Sequence, residues 1–150
     1  MEIYSSKIKL VDSDEIRNLR HIILRKGKDF STTSYHRDNG EQTFHLGYFH
    51  KEKIISCATF YPEKTNKKNS KNPYRLRGMA TEKKHWRKGY GKKIIKEAYS
   101  ILKSKKCDLL WCNARIIAFP FYKKMGFSEQ GDLFDVSDIG PHYYMYKKIK

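Results

Sequence analysis

Apolar and polar positions follow two different periods along this chain. Ile16, Leu19, Ile22 and Ile23 fall at helical spacing, directly after Asp12-Ser13-Asp14-Glu15, whose side chains can cap a helix start. Residues 27–40 are polar and aperiodic, which predicts a loop, or a loop with one short helix. Residues 43–49 and 54–60 read as two strands joined around His50-Lys51-Glu52-Lys53, a hairpin. Residues 62–72 are rich in Pro, Lys, Asn and Ser and predict an exposed, mobile loop.

The second half alternates strands with helices. Residues 75–81 read as a third strand of the same sheet. Residues 92–103 form an amphipathic helix with Ile94, Ile95, Ala98, Ile101 and Leu102 on one face. Leu109-Leu110-Trp111-Cys112 is an apolar run of the buried-strand kind. Residues 116–125 have a helical pattern interrupted by Pro120. That helix is expected to start near Ala118 or Phe119, with Pro120 in its first turn and Gly126 at its C-cap. Residues 142–149 read as a last strand. A hairpin followed by alternating strands and helices predicts a mixed α/β domain, not a doubly wound one.

Length and composition narrow this picture. At 150 residues the chain is expected to be a single domain, residues 1–150, able to bury about 70% of its unfolded surface without a disulfide or metal staple. With 39% apolar and 14% aromatic residues, global disorder is excluded. The sequence has no apolar run long enough for a membrane helix, and residues 1–5 lack the basic and apolar regions of a leader, so a cytoplasmic protein without membrane association is expected. The net charge is +16, with 24 Lys and 8 Arg. Scattered surface Lys explains this most simply. Attraction of an anionic small ligand comes next and nucleic acid last, since a positive field attracts any polyanion. Cys57, Cys107 and Cys112 include no C-x-x-C pair, so neither a disulfide framework nor a metal site is expected. Cys57 and Cys112 sit in apolar runs, as buried thiols do.

The chemistry concentrates in residues 77–92, where a strand ends, a basic Gly-containing loop follows and a helix begins. Helix N-terminal N–H groups lack internal partners and carry the positive end of the helix dipole. Gly89 and Gly91 allow close backbone approach. Arg87, Lys88 and Lys92 add charge, which together makes a seat for phosphate or pyrophosphate. A purely structural turn is the alternative. Two known phosphate motifs are absent: Gly91 precedes Lys92-Lys93 rather than the Lys-Ser/Thr of a P-loop, and Ile94 stands where a dinucleotide fingerprint needs its third Gly.

Trp86-Arg87-Lys88-Gly89-Tyr90-Gly91 resembles the Arg/Gln-x-x-Gly-x-Gly/Ala loop of the GNAT (Gcn5-related) N-acetyltransferases. Ala118-Phe119-Pro120-Phe121-Tyr122-Lys123-Lys124-Met125-Gly126-Phe127 resembles that family's Ala-x-x-x-Tyr-x-x-x-Gly-Phe signature, in matching order and separation. The resemblance is strong over residues 75–127, and residues 18–25 and 139–142 also resemble a small bacterial subgroup of the family. It implies a mixed, mostly antiparallel sheet splayed between its fourth and fifth strands and flanked by helices, with acetyl-CoA as co-substrate. It implies that the backbone of Met79-Ala80-Thr81 pairs with the pantetheine amides and that residues 87–92 (Arg87, Lys88, Gly89, Tyr90, Gly91 and Lys92) hold the pyrophosphate. It further implies that Tyr122 faces the CoA sulfur as general acid. The resemblance implies a reaction by direct attack of a neutral amine on the thioester carbonyl, with an N–H near Ala80 as the candidate stabiliser of the oxyanion.

The sequence departs from the family at Trp86, where Arg or Gln is usual, and at Arg115, where Asn is frequent. Loss of that side-chain contact is expected to leave phosphate binding to the backbone. Asn113 is a candidate for contact with CoA or a catalytic water, or for simple backbone pairing. Arg115 either guides an acidic substrate or faces solvent. His142, behind Gly140-Pro141, is the leading general-base candidate because a free imidazole titrates near ~6.5. Glu63 is the carboxylate alternative, and a water chain without one base is a third. His21 and His85 are weaker candidates. Tyr35, Tyr143, Tyr144 and Tyr146 line a pocket or pack a core. The Asp residues of 132–138 bind a cationic amine or form turns.

The expected acceptor is the primary amine of a small molecule. A protein Lys or N-terminal amine, or CoA binding without turnover, are the alternatives. A basic nucleic-acid-binding module is the reading from a different class, and no RNP-like or helix-turn-helix signature supports it. A homodimer through the last strands is an expectation of the family resemblance.

Overall fold

The computed structural model describes residues 7–150, so residues 1–5, read above as lacking a leader, lie outside the described part. Eight strands and three α-helices follow in the order β1 (Ile8–Val11), α1 (Ser13–Leu24), β2 (Phe44–His50), β3 (Lys53–Pro62), β4 (Pro73–Thr81), α2 (Tyr90–Ser104), β5 (Leu109–Arg115), α3 (Phe119–Lys124), β6 (Ser128–Glu129), β7 (Phe134–Val136) and β8 (Gly140–Lys148). The strands pair in the order β1-β2-β3-β4-β5-β8-β6, with β7 also on β8. The β4–β5 pair is parallel, at Pro73↔Leu109, Tyr74↔Leu110 and Arg75↔Trp111. The β1–β2, β2–β3, β5–β8, β6–β8 and β7–β8 pairs are antiparallel. This is the expected mixed, mostly antiparallel sheet flanked by helices. Among the described residues no helix is long and apolar enough to cross a membrane.

The chain divides into two compact units, one running to Tyr61 and again from Leu76 to Ile101, the other holding Pro62–Arg75 and Leu102–Lys150. In the first unit, α1 starts where the sequence placed its cap, and the Glu15 carboxylate accepts from the Asp12 N–H at 2.8 Å. Its apolar stripe puts Ile16 and Leu19 against Cys57 and Ala80. Each fully buried aliphatic side chain of this kind contributes about 1.5–3 kcal/mol. The β2–β3 hairpin turns at Lys51 and Glu52, both at positive φ (51° and 67°), the geometry of a primed two-residue turn. Neither residue is the usual Asn or Gly, so the hairpin was visible through its alternation rather than its turn.

Arg20 lies on α1, fully buried. Its guanidinium grips Asp38 with both arms (2.7 and 2.9 Å) and donates to the Thr33 carbonyl and the Thr59 hydroxyl, each at 2.7 Å. His45 completes this network, with Nδ1 2.8 Å from Thr59 Oγ1 and Nε2 2.9 Å from the Asp38 carbonyl. Such a network fixes the loop after α1, because breaking it would strand buried charge.

In the second unit, β8 pairs with β5 along seven residues, Leu109↔Lys148 through Arg115↔His142. Leu109, Trp111 and Tyr144 form the core of one face, with Phe134 and Tyr146 against them. Helix α3 covers the other face, where the Phe119 and Tyr143 rings lie 4.9 Å apart. Pro120 sits in its first turn, and Gly126 beyond its end has φ +92°, as a C-cap glycine does.

Residues 63–72 form the expected exposed loop, outside any helix or strand. Their side chains reach solvent, but the backbone is anchored: Glu63 N–H donates to the Pro73 carbonyl (3.1 Å), and Trp111 Nε1 donates to the Glu63 carbonyl (2.9 Å). The Thr65 hydroxyl donates to Tyr144 Oη at 2.9 Å, and Gln130 Nε2 donates to the Lys67 carbonyl. The Asp108 carboxylate accepts from the Ser70 hydroxyl and from the N–H groups of Lys71 and Asn72. The segment is a strap across the sheet.

Candidate active site

The first unit carries the proposed cofactor residues. A single glycine, Gly78, interrupts β4 at φ +65°. A Cβ there would stand 3.1 Å from both Arg20 Nε and Tyr35 Cε2, so a side chain would be strained in conformation and would have to displace these neighbours slightly. Beyond it Met79 is half-buried and Ala80 is in the core with Ile16 and Cys57. Thr81 exchanges a 2.8 Å hydroxyl hydrogen bond with Ser56.

Past β4 the chain makes a 3-10 turn at Lys83–His85 and enters α2 at Tyr90. Glu82 is held there by Lys53 at 2.5 Å, and its carboxyl lies below the usual range, chiefly through that hydrogen bond. Burial lowers the His85 pKa, against the opposing charge of Glu82. The His85 ring meets His50 and Tyr90 edge-on at 5.3 and 5.7 Å.

The phosphate-seat geometry is explicit. Arg87 and Gly89 adopt positive φ, 63° and 87°. The first ladder bond of α2 runs from Lys93 N–H to the Gly89 carbonyl at 3.1 Å. The N–H groups of Tyr90, Gly91 and Lys92 therefore precede the ladder and point out of the helix start. The first turn of α2 has no acidic residue, so its dipole is not offset. A Cβ built on Gly89 meets nothing within 4 Å, so the approach is open. Arg87, Lys88 and Lys92 are exposed around it. Trp86, at the family's Arg/Gln position, turns back: its Nε1 donates to the Thr81 carbonyl at 2.6 Å.

The second unit carries the candidate acid and bases. Tyr122 is buried on α3, edge-on to Phe121 and Phe127 at 5.1 and 5.2 Å. Burial, and then the neighbouring Cys112, push its phenol well above the usual tyrosine value, so it keeps its proton. His142 lies inside β8 rather than just before it, opposite Arg115 and Phe134. Its Nδ1 is 2.8 Å from the Gly140 carbonyl. A carbonyl only accepts, so Nδ1 carries the proton and Nε2 is the basic nitrogen. Glu63 is held by Arg75 at 3.3 Å, and Asn113 faces Tyr144 across the β5–β8 ladder.

Strand alternation sorts these residues. Asn113, Arg115, His142 and Tyr144 share the face crossed by the strap, whereas Cys112, Tyr143 and α3 with Tyr122 occupy the other. Glu63 and Asn113 line one cavity of about 620 Å³ on the strap face, with Lys64, Thr65, Lys67, Trp111, Phe134 and Tyr144 among its walls. The cavity and the Gly78 interruption were not anticipated. The only sequence signal for the second was an isolated Gly within a strand pattern.

Comparison with known proteins shows the family and the fold. Residues 13–127 match the model of the acetyltransferase (GNAT) family. The chain is 35% identical over 144 residues to a Bacillus subtilis (strain 168) protein named "Uncharacterized N-acetyltransferase YitI", covering 96% of this chain and 97% of that one. Among solved structures, an aminoglycoside 6'-N-acetyltransferase complexed with coenzyme A superimposes with a TM-score of 0.75 at 11% identity, over 95% of this chain and 97% of that one. The NatC complex bound to Gag peptide and CoA gives 0.74 at 16% identity, over 95% and 98%. The fold and the family match define an acyltransferase. This chain belongs to the GNAT family of acetyl-CoA-dependent N-acetyltransferases.

Proposed function

We propose that this chain transfers the acetyl group of acetyl-CoA to the primary amine of a small molecule, by direct attack in a ternary complex, and that residues 1–150 act as one acetyltransferase domain. The family match runs through both compact units, in keeping with that reading. The observation that carries it is the start of α2, an open, basic helix N-terminus with room over Gly89 and no acid in its first turn. Arg87, Lys88, Gly89, Tyr90, Gly91 and Lys92 hold the pyrophosphate. The backbone of Met79, Ala80 and Thr81 meets the pantetheine, and Asn113 contacts CoA or a reacting water.

The amine enters protonated and must lose a proton before its lone pair can attack. His142 Nε2 takes that proton, directly or through water, and Glu63 is the weaker base because Arg75 already holds its carboxylate. The nitrogen adds to the thioester carbonyl carbon, and an N–H near Ala80 stabilises the oxyanion. The C–S bond then breaks, the thiolate takes the Tyr122 proton, and the remaining extra proton on the acylated nitrogen leaves to water, from which Tyr122 is reprotonated. Acetyl-CoA is a co-substrate here, with no metal in any step.

The size of the strap-face cavity supports a small-molecule acceptor, since about 620 Å³ lies within the range of such sites. The test is thermal unfolding with and without acetyl-CoA at moderately high salt, followed by an amine panel scored by CoA release. At 100 times its Kd the cofactor adds about 2.7 kcal/mol, several degrees of Tm for this size. A rise that ATP does not reproduce supports the cofactor assignment. No rise well above micromolar acetyl-CoA overturns it.

A further inference from the structure

We propose that the cavity on the strap face of the second unit is the acceptor subsite, and that the amine it takes carries a carboxylate. The inference rests on the acetyltransferase reading above. Three observations carry it.

The first is shape. Trp111 and Tyr144 stack at 5.5 Å and 25°, and with Phe134 they give the cavity flat aromatic walls. Asn113 and the Thr65–Tyr144 hydroxyl pair supply a few fixed polar groups. Apolar walls with few polar groups are the usual make-up of a metabolite site.

The second is charge. The one carboxylate of the lining, Glu63, is ion-paired with Arg75, whose guanidinium also lies 5.0 Å from the Trp111 ring. Lys64 and Lys67 also line the cavity, and neither meets a carboxylate among the described residues. Lys67 Nζ stands 5.8 Å from the Tyr144 ring and 6.0 Å from the Phe134 ring, a cation over aromatic faces with no ion-pair partner among the described residues. The lining is therefore net positive before any ligand enters. A cationic polyamine would meet repulsion, whereas an amine bearing a carboxylate would supply the missing anion.

The third is rigidity. The two ammonium groups come from the anchored strap, whose backbone is tied to Trp111, Gln130 and Pro73 and whose Thr65 is tied to Tyr144. Charges on a fixed backbone lose less entropy when they bind. The cavity also has a direction. Phe134 lines it and stands 6.0 Å from the His142 ring, while Lys64 and Lys67 belong to the strap. A molecule with an amine at one end and a carboxylate at the other fits that arrangement, with the amine toward His142.

The experiment uses matched pairs with an amine remote from the carboxylate that differ only by that carboxylate, 6-aminohexanoate against pentylamine and lysine against cadaverine. Equilibrium binding in the presence of CoA and kcat/KM with acetyl-CoA are both read. Wild-type protein is expected to favour the carboxylate member by about tenfold or more. The Lys64→Glu/Lys67→Glu double variant should lose that preference with its KM for acetyl-CoA unchanged, and Lys64→Ala/Lys67→Ala should lose most of it. The Lys96→Glu/Lys103→Glu control makes the same net charge change on exposed sites of α2 and should keep the preference.

Equal or better binding of the decarboxylated amines by wild type overturns the inference, as does an equal effect of the control. So does a panel in which no member binds. Carboxylate-selective binding without turnover of any amine would sink the enzyme reading and leave the subsite. Turnover without carboxylate preference would do the reverse.

Discussion

The Trp86 indole donates its Nε1–H to the Thr81 carbonyl at 2.6 Å, a bond that joins the end of β4 to the loop before α2. A residue whose family counterpart is Arg or Gln here acts within the protein, as a clasp. The ring itself remains 41% exposed, with Lys83 Nζ 5.8 Å from its centroid. The loop geometry at Arg87 and Gly89, both at positive φ, begins at this fastening point.

Replacing Trp86 with Phe keeps a ring and removes the donor. One hydrogen bond at a partly exposed site is worth about 0.5–1.5 kcal/mol. Acetyl-CoA affinity is therefore expected to fall about two- to tenfold, with little change in Tm. Calorimetric titration checks it, and unchanged affinity would mean that the clasp does not shape the seat.

Gly78 and Gly89 should respond oppositely to alanine. Both sit at positive φ, which costs an L-residue about 1–2 kcal/mol. At Gly78 the new methyl also meets Arg20 and Tyr35 at 3.1 Å, so Gly78→Ala lowers Tm more. At Gly89 the methyl fills open space over the helix start, so Gly89→Ala spares more stability and weakens acetyl-CoA binding more. Thermal melts paired with binding isotherms of the two variants test the ordering.

Acid should weaken the fold in two stages. Burial lowers the His45 pKa, against the opposing Asp38 carbonyl and carboxylate. The unfolded chain thus takes this proton first, and stability falls as pH drops below about 6.5 toward the folded value. For Asp38, burial would raise the carboxyl, but the Arg20 and Tyr35 hydrogen bonds and the Arg20 charge outweigh it and hold it below the usual range. Its contribution is present above about 3.9 and is lost as pH falls further, through the folded value. Urea midpoints across pH, compared between wild type and His45→Gln, should show the upper stage vanish in the variant.

Tyr122→Phe should cost about 100-fold in kcat, the range of a lost general acid, with the KM for acetyl-CoA held within a few-fold. Because the phenol is pushed above about 10, wild-type kcat should show no loss from this group between neutral pH and that value. His142→Gln should instead remove the base-dependent rise of kcat with pH. Stopped-flow and steady-state profiles separate the two. A Phe variant with wild-type kcat would leave Tyr122 only a packing role.

The three thiols should be silent in the native protein. Burial raises Cys57 to about 12 and Cys107 to about 11, and Cys112 is likewise pushed up by burial. An Ellman titration at pH 8 should read near zero when native and three thiols after denaturation.

What the sequence disclosed follows from the range of the forces involved. Helix α1, the β2–β3 hairpin and the start of α2 rest on neighbours a few residues apart, and periodicity, caps and glycine spacing report such neighbours. The two- and three-residue strands β6 and β7 are too short to show a period. β8 began earlier than expected because Gly140 and Pro141 pair with Val136 and Asp135 of β7. The anchoring of the strap was hidden for a different reason. Its composition is that of a solvated loop, and its anchors Trp111, Gln130 and Tyr144 lie 48, 63 and 79 residues away along the chain. Arg20 was hidden in the same way, since a fully buried guanidinium becomes legible only when Asp38 is seen against it.

The strap also gives the protein a built-in gauge. Trypsin cuts after Lys, and Lys64, Lys67, Lys68 and Lys71 all lie within it. A protease needs a stretch of backbone released into an extended form, and this backbone is tied at Glu63, Lys67, Lys71 and Asn72. The rate of nicking therefore counts how often those ties let go. A molecule seated against Lys64 and Lys67 would slow that clock without altering the rest of the chain.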